Sequence, residues 1–240
     1  MHALAFTAGT AAPRAEIPAG ACDCHVHVYD GSFPAAPGAS LLPPDATVAQ
    51  YRALQARLGL SRAVLVTPST YGADNRVLLA GLSQMGEQAR GVAVIDGSES
   101  EADLLALHRI GVRGIRLNLS LGVTGSIAQI EPLACRIAEL GWHLQLLMPP
   151  EQLVGAGDLL GRLPVPVVFD HMARLAPGSA FAHPAHAVVS SRPAHVSSMC
   201  PTEATPRRCR TRWPARCSSC SHRPRPRWRM CRPADCARWP

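Results

Sequence analysis

The side chains best suited to chemistry sit at the ends of short apolar runs. The densest group is Cys22-Asp23-Cys24-His25-Val26-His27. On an extended strand, residues two apart share a face, so His25 and His27 project together. Two imidazoles on one face can hold a divalent ion or polarise a carbonyl. The same spacing also fits two incidental histidines on a half-exposed strand. Cys22 and Cys24 read as packing residues in a reducing cytoplasm, not as ligands or a disulfide. Further polar residues recur at comparable places: Thr67 and Ser69, Asp96, Arg116 and Asn118, Gln145, then Asp170 and His171. Arg116 offers a planar fork with charge-assisted N–H bonds for a carboxylate. It could equally close an ion pair with Asp170, and His171 could simply cap a strand.

The elements that must position these residues alternate along the chain. Apolar runs at 21–28, 62–67, 91–95, 114–119, 143–148 and 165–170 read as strands. Helical spacing fills the gaps at 47–58, 75–88, 101–109, 127–140 and 150–160, with Asp45 or Thr47 as N-cap of the first. Near-continuous Val, Ile and Leu in the strands implies burial on both faces, hence repeated βα units around a parallel sheet. A doubly wound sheet would usually carry a glycine-rich phosphate turn after strand one, and none is present. Polar residues at successive carboxyl ends favour an α/β fold of the TIM-type (β/α)8 barrel, which places its site there. Only about six units fit before the composition changes, so the barrel is expected to be incomplete.

Four segments then carry a family resemblance. DCHVHVYD at 23–30 resembles the strand-one signature of the amidohydrolase superfamily, in the amidohydrolase 2 or amidohydrolase-related branch. VTPSTYGADNRVLL at 66–79, GVRGIRLNL at 111–119 and VVFDHMARL at 167–175 resemble the strand-two, strand-four and strand-six motifs of its 2-pyrone-4,6-dicarboxylate hydrolase-like lactonases. The resemblance covers about 17–186 and implies a hydrolase opening a small acidic lactone by water attack on the ester carbonyl. It gives His25, His27 and His171 the catalytic role of stabilising that carbonyl. It gives Ser69, Thr70, Tyr71, Arg116 and Arg174 contacts with the substrate. The second basic residue that the subgroup carries after the strand-four asparagine is absent here, so a sugar-acid lactone suits the pattern as well as a pyrone dicarboxylate. The family's alternative reaction is a metal-dependent decarboxylation.

The resemblance also bears on cofactors. Binuclear members bridge two metals with a carboxylated lysine, and this chain has no lysine. The favoured reading has no metal. Its alternative is one Zn²⁺ held by His25, His27 and His171. The general base of the family lies on strand eight, and no matching motif follows His171. The sole later aspartate is Asp235, in a different context.

Charge explains why the match stops. The formal net charge is +7, with all 24 basic residues arginine. Residues 187–240 hold twelve of these arginines against Glu203 and Asp235, which leaves residues 1–186 mildly acidic. The same 54 residues contain six of the nine cysteines and no Leu, Ile or Phe. The expected division is an N-terminal extension at 1–16, a partial barrel at 17–186 and a tail at 187–240. A segment so basic and so poor in apolar residues is expected to be disordered. Arg, Pro, Cys, Ser and Trp are what GC-rich coding yields in a shifted frame, which would make the chain an inactive remnant. The rival is a basic nucleic-acid-binding module built on Cys217, Cys220, His222, Cys231 and Cys236, whose spacings match no familiar zinc module. The weight falls against nucleic acid. No apolar run is long enough to span a membrane, and residues 1–20 lack the basic start of a secretory signal. Oligomeric state is left open.

Overall fold

A computed structural model describes residues 11–120, 125–178 and 180–191. The expectations placed on the tail, including its disorder, its shifted frame and Asp235, concern residues outside this set apart from 187–191.

Six strands lie in one parallel sheet in sequence order: β1 (Cys22–Val26), β2 (Arg62–Val66), β3 (Ala89–Ala93), β4 (Val112–Asn118), β5 (His143–Leu147) and β6 (Val167–Phe169). The sheet curls into part of a barrel, the form that the polar strand ends favoured over a doubly wound sheet. Helices α1 (Val48–Leu58), α2 (Arg76–Met85), α3 (Glu101–Arg109), α4 (Ile127–Ala138), α5 (Pro150–Gly155), α6 (Gly157–Arg162) and α7 (Pro184–Ser190) complete the units. Thr47 caps α1 in a reciprocal box: its hydroxyl accepts from the Gln50 backbone N–H, and the Gln50 carbonyl Oε1 accepts from the Thr47 N–H. Gly59 ends the helix at φ 73°, a left-handed conformation that glycine adopts without a Cβ clash.

Strand alternation separates two environments. Leu65, Ile115, Leu117, Leu144 and Leu146 face the helices and join one continuous core. Each such side chain contributes about 1.5–3 kcal/mol by leaving water. Val64, Val66 and Val92 face inward and form a separate cluster, against which Cys22 packs. The carboxyl-terminal half of that inner face is polar, because Arg116, Asn118 and Gln145 share its parity. Gly114 shares it too, and a Cβ there would collide with the His143 ring of the adjacent strand.

Several boundaries differ from expectation for local reasons. The apolar run at 91–95 continues past the end of β3 because Asn75 replaces a strand partner there. Its Nδ2 donates to the Val94 carbonyl at 2.7 Å and its Oδ1 accepts from the Val94 N–H at 2.9 Å. The single helix expected at 150–160 breaks at Ala156, between Gly155 and Gly157, where helix propensity is weakest. Strand six starts late because Pro166 has no N–H to give the ladder.

Candidate active site

A register shift in β1 aims the histidines. Asp23 pairs with Ala63 and Val26 with Leu65, so β1 advances three residues while β2 advances two. The extra residue is a bulge, which redirects side chains. Before it, Asp23 faces the helix layer and accepts a hydrogen bond from the Tyr51 hydroxyl at 3.1 Å. After it, His25 and His27 face inward.

There they meet residues from three other strands. His25 Nε2 lies 3.3 Å from His27 Nε2, and His27 Nδ1 lies 2.8 Å from the Val66 carbonyl. Gln145 Nε2 is 3.0 Å from His25 Nδ1 and also contacts Asp170 Oδ1. Arg116 Nε donates to Asp170 Oδ2 at 2.9 Å, with both residues 3% exposed. The ion pair considered from sequence therefore forms, and it does not use up the arginine. Among the described residues, Arg116 Nη1 and Nη2 take no hydrogen bond.

His171 and Arg174 follow Asp170 on a tight turn, Asp170–Arg174. The His171 ring centroid is 5.5 Å from that of His25. His171, Met172, Ala173 and Arg174 all have φ between 50° and 56°. Left-handed backbone is costly for residues bearing a Cβ, so this turn holds strain beside the site. Met172 is 72% exposed. Met172→Gly is expected to stabilise the chain by about 1 kcal/mol, by relieving that strain without loss of packing. A rise in urea midpoint checks it, and a fall would mean that the strain is not there to be relieved.

The remaining expected contacts divide. Ser69 joins the site, its hydroxyl accepting from Asn118 Nδ2 at 2.8 Å. Thr70 and Tyr71 lie on the same short turn but direct their hydroxyls elsewhere. Thr70 donates to the Leu41 carbonyl at 2.9 Å, and Tyr71 bonds the backbone of Asp30. Both thus tie down the loop after β1. With Tyr29, Phe33 and Leu42 they line a cleft of about 110 Å³. Tyr29 connects it to the site, with its ring 6.1 Å from that of His27. Gln145 and Asp170 were visible in the sequence only as polar strand ends. A signal for Gln145 was its place as the one polar residue in Leu144–Leu147, at the parity of Arg116.

Burial lowers His27 to about 4 from its ordinary 6.5, against the opposing bond to Val66, while His25 adds to the depression. Burial alone would raise the Asp170 carboxyl. The nearby His25 ring and the Arg116 guanidinium outweigh it, so Asp170 titrates below its ordinary value. Because His27 is depressed in the fold, the unfolded chain takes up its proton first as pH falls. The His27 contribution is complete above about 6.5 and is lost as pH drops toward 4, on the order of 3 kcal/mol. His27→Gln should flatten urea stability across that window. An unchanged slope would show that His27 is protonated in the fold.

A metal would find the His25 and Asp170 donors already engaged. His25, Asp170 and His171 bring ligand atoms within 4.8 Å of one another, with Asp170 standing where the sequence reading had His27. Both Asp170 oxygens face N–H donors, His25 Nδ1 faces Gln145, and His25 Nε2 faces His27. As arranged, this set does not fit an ion. Among the described residues no helix is long and apolar enough to cross a membrane.

Known proteins share this arrangement of strands. The chain is 39% identical over 175 residues to 2-pyrone-4,6-dicarboxylate hydrolase of Comamonas testosteroni, covering 71% of this chain and 57% of that one. It is 31% identical over 166 residues to 4-sulfomuconolactone hydrolase of Rhizobium radiobacter, covering 66% and 55%. It is 30% identical over 169 residues to D-galactarolactone isomerase of Agrobacterium fabrum, covering 70% and 58%. The chain therefore spans a little over half the length of these relatives. An apo crystal structure from Agrobacterium tumefaciens superposes with a TM-score of 0.70 at 28% identity, over 75% of this chain and 66% of that one. A structure from Acinetobacter baumannii with citric acid bound gives 0.64 at 26%, over 72% and 66%. The amidohydrolase sequence profile matches residues 22–219, starting at the strand that bears the histidine pair and extending past the change in composition at 186. With most of its length under that profile, the chain belongs to the amidohydrolase family.

Proposed function

We propose that this chain is a hydrolase that opens a small carboxylate-bearing lactone in the cytoplasm. Water adds across the acyl–oxygen bond of the ring and leaves a hydroxy acid. The observation that carries the reading is Arg116, a buried guanidinium oriented through Nε by Asp170, whose Nη groups take no hydrogen bond among the described residues and whose charge acts on His27. Those groups can hold a carboxylate in paired bonds. Arg174 adds a second, exposed cation three residues beyond His171. His25, His27 and His171 line the place for the ester carbonyl, where an N–H of His25 or His171 aimed at developing negative charge is worth most in the transition state.

Support comes from the three relatives, each named for a lactone, and from citric acid in the Acinetobacter structure. No Lys, Arg or His lies between Asn118 and Arg136, so a sugar-acid lactone is as good a candidate as a pyrone dicarboxylate. The favoured reading has no metal, and it is supported by the N–H groups that already face His25 Nδ1 and both Asp170 oxygens. The alternative is one Zn²⁺, with decarboxylation as the accompanying chemistry.

The test uses the full chain with a panel of lactones, carboxylate-bearing and uncharged, followed by ring opening and by calorimetric binding. Charged lactones should bind and open, and Arg116→Met should raise KM. Neither binding nor opening of any charged lactone would defeat the reading. Carbon dioxide release that tracks bound metal would replace it with the decarboxylase.

A further inference from the structure

We infer that Gln145 is a positioning residue that fixes the tautomer of His25, transmitting the charge of Asp170 to the imidazole pair. The inference deepens the proposed reading, in which His25 faces the carbonyl.

The carboxamide has an end that donates and an end that accepts. Its Nε2 end touches both Asp170 Oδ1 and His25 Nδ1. Its Oε1 end is buried with no partner among the described residues. Turning the amide over would press Oε1 against a carboxylate oxygen with no proton between them. Asp170 is ion-paired with the buried Arg116 guanidinium at 2.9 Å and so is a carboxylate with no proton to offer, which excludes that orientation. The orphaned Oε1 is the lesser cost.

The remaining protons follow from this one orientation. Nε2 of Gln145 only donates, so His25 Nδ1 must present its lone pair. The proton of neutral His25 then sits on Nε2, toward His27. The Val66 carbonyl only accepts, so His27 carries its proton on Nδ1 and presents a lone pair at Nε2. The two Nε2 atoms at 3.3 Å thus form one donor and one acceptor with no clash. Reversing Gln145 would move the His25 proton to Nδ1 and leave two lone pairs facing each other across the Nε2 atoms. His25 Nδ1 lies 3.5 Å from Asp170 Oδ1, longer than its 3.0 Å to Gln145. Without the amide, that carboxylate is the acceptor that would draw the proton to Nδ1. Gln145 therefore denies His25 the Nδ1–H form and leaves Nε2–H at the edge shared with His27.

The experiment is a long-range ¹H–¹⁵N spectrum of the full chain labelled at histidine, with His25 assigned by His25→Gln. The native chain should show His25 with Nε2 protonated. Gln145→Leu removes the amide at similar volume and should convert His25 to the Nδ1–H form. Gln145→Asn should leave a mixture, because its shorter amide cannot span both partners. A native Nδ1–H form would overturn the inference. So would an unchanged tautomer in Gln145→Leu with a native melting transition. If Gln145→Leu fails to melt cooperatively, the native and Gln145→Asn spectra decide alone. Turnover is a separate readout: a chain inactive on every lactone but showing the expected spectra refutes the proposed function and leaves this inference intact. In an active chain, Gln145→Leu should lower kcat at least tenfold with little change in KM.

Discussion

Asp170→Asn is expected to destabilise the folded chain by about 3–5 kcal/mol, the usual cost of leaving one member of a buried ion pair alone. Asparagine keeps the shape but cannot neutralise Arg116, which is 3% exposed and loses its only ion-pair partner among the described residues. It also turns an amide toward a site that already receives an N–H from Gln145. Arg116→Met should cost a comparable amount, by stranding the carboxylate. The double variant should cost well under the sum, since both charges are then gone. Urea unfolding of the four proteins at pH 7 measures the coupling. Additive costs would mean that the two groups do not depend on each other. Lowering the pH should narrow the gap between wild type and Asp170→Asn. Asp170 has a depressed value in the fold, so its contribution is complete above the ordinary carboxyl range and fades as pH falls through the folded value.

His171→Asn should lower kcat/KM for lactone opening by about 10²–10³-fold, the loss typical of removing one donor to a developing oxyanion. Stability should change by no more than about 0.5 kcal/mol, because the side chain is exposed. Asparagine is chosen because His171 sits at φ 50°, where it is among the better tolerated residues with a Cβ. Retained activity with an unchanged melt would remove His171 from the mechanism. Loss of both activity and stability would instead show that the ring supports the turn.

Much of the architecture was legible because it depends on local periodicity. All six strands and the helices after the first five were expected from apolar runs and helical spacing. Where boundaries moved, the causes were specific: Asn75 bonding Val94, nineteen positions away, and the weak helix propensity of Gly155 and Gly157 around Ala156. The site was legible in part. His25, His27, His171, Ser69, Arg116 and Arg174 lie at the carboxyl ends of their strands. Thr70 and Tyr71 share that location, yet their hydroxyls tie down the loop after β1. No pattern within Ser69–Tyr71 distinguishes these uses, since the deciding partners are the Leu41 carbonyl and the Asp30 backbone.

By itself the sequence determined the parallel βα order, the capped helices and which strand ends carry polar groups. Each of these depends on residues a few positions apart. It also set the chemical inventory: two histidines two apart, arginine as the only strong cation, and no lysine. Tertiary structure alone decided how that inventory is connected. Strict alternation groups Asp23 with His25 and His27. The bulge in β1 separates them, sending Asp23 to Tyr51 and the histidines inward. The chain from Arg116 through Asp170 and Gln145 to His25 joins residues up to 120 positions apart. The physical reason is that periodicity fixes a side chain's face only up to the phase of its strand. Phase and curl are set by pairing with neighbouring strands, and it is the curl that brings polar side chains from β1, β4, β5 and the end of β6 within hydrogen-bond reach.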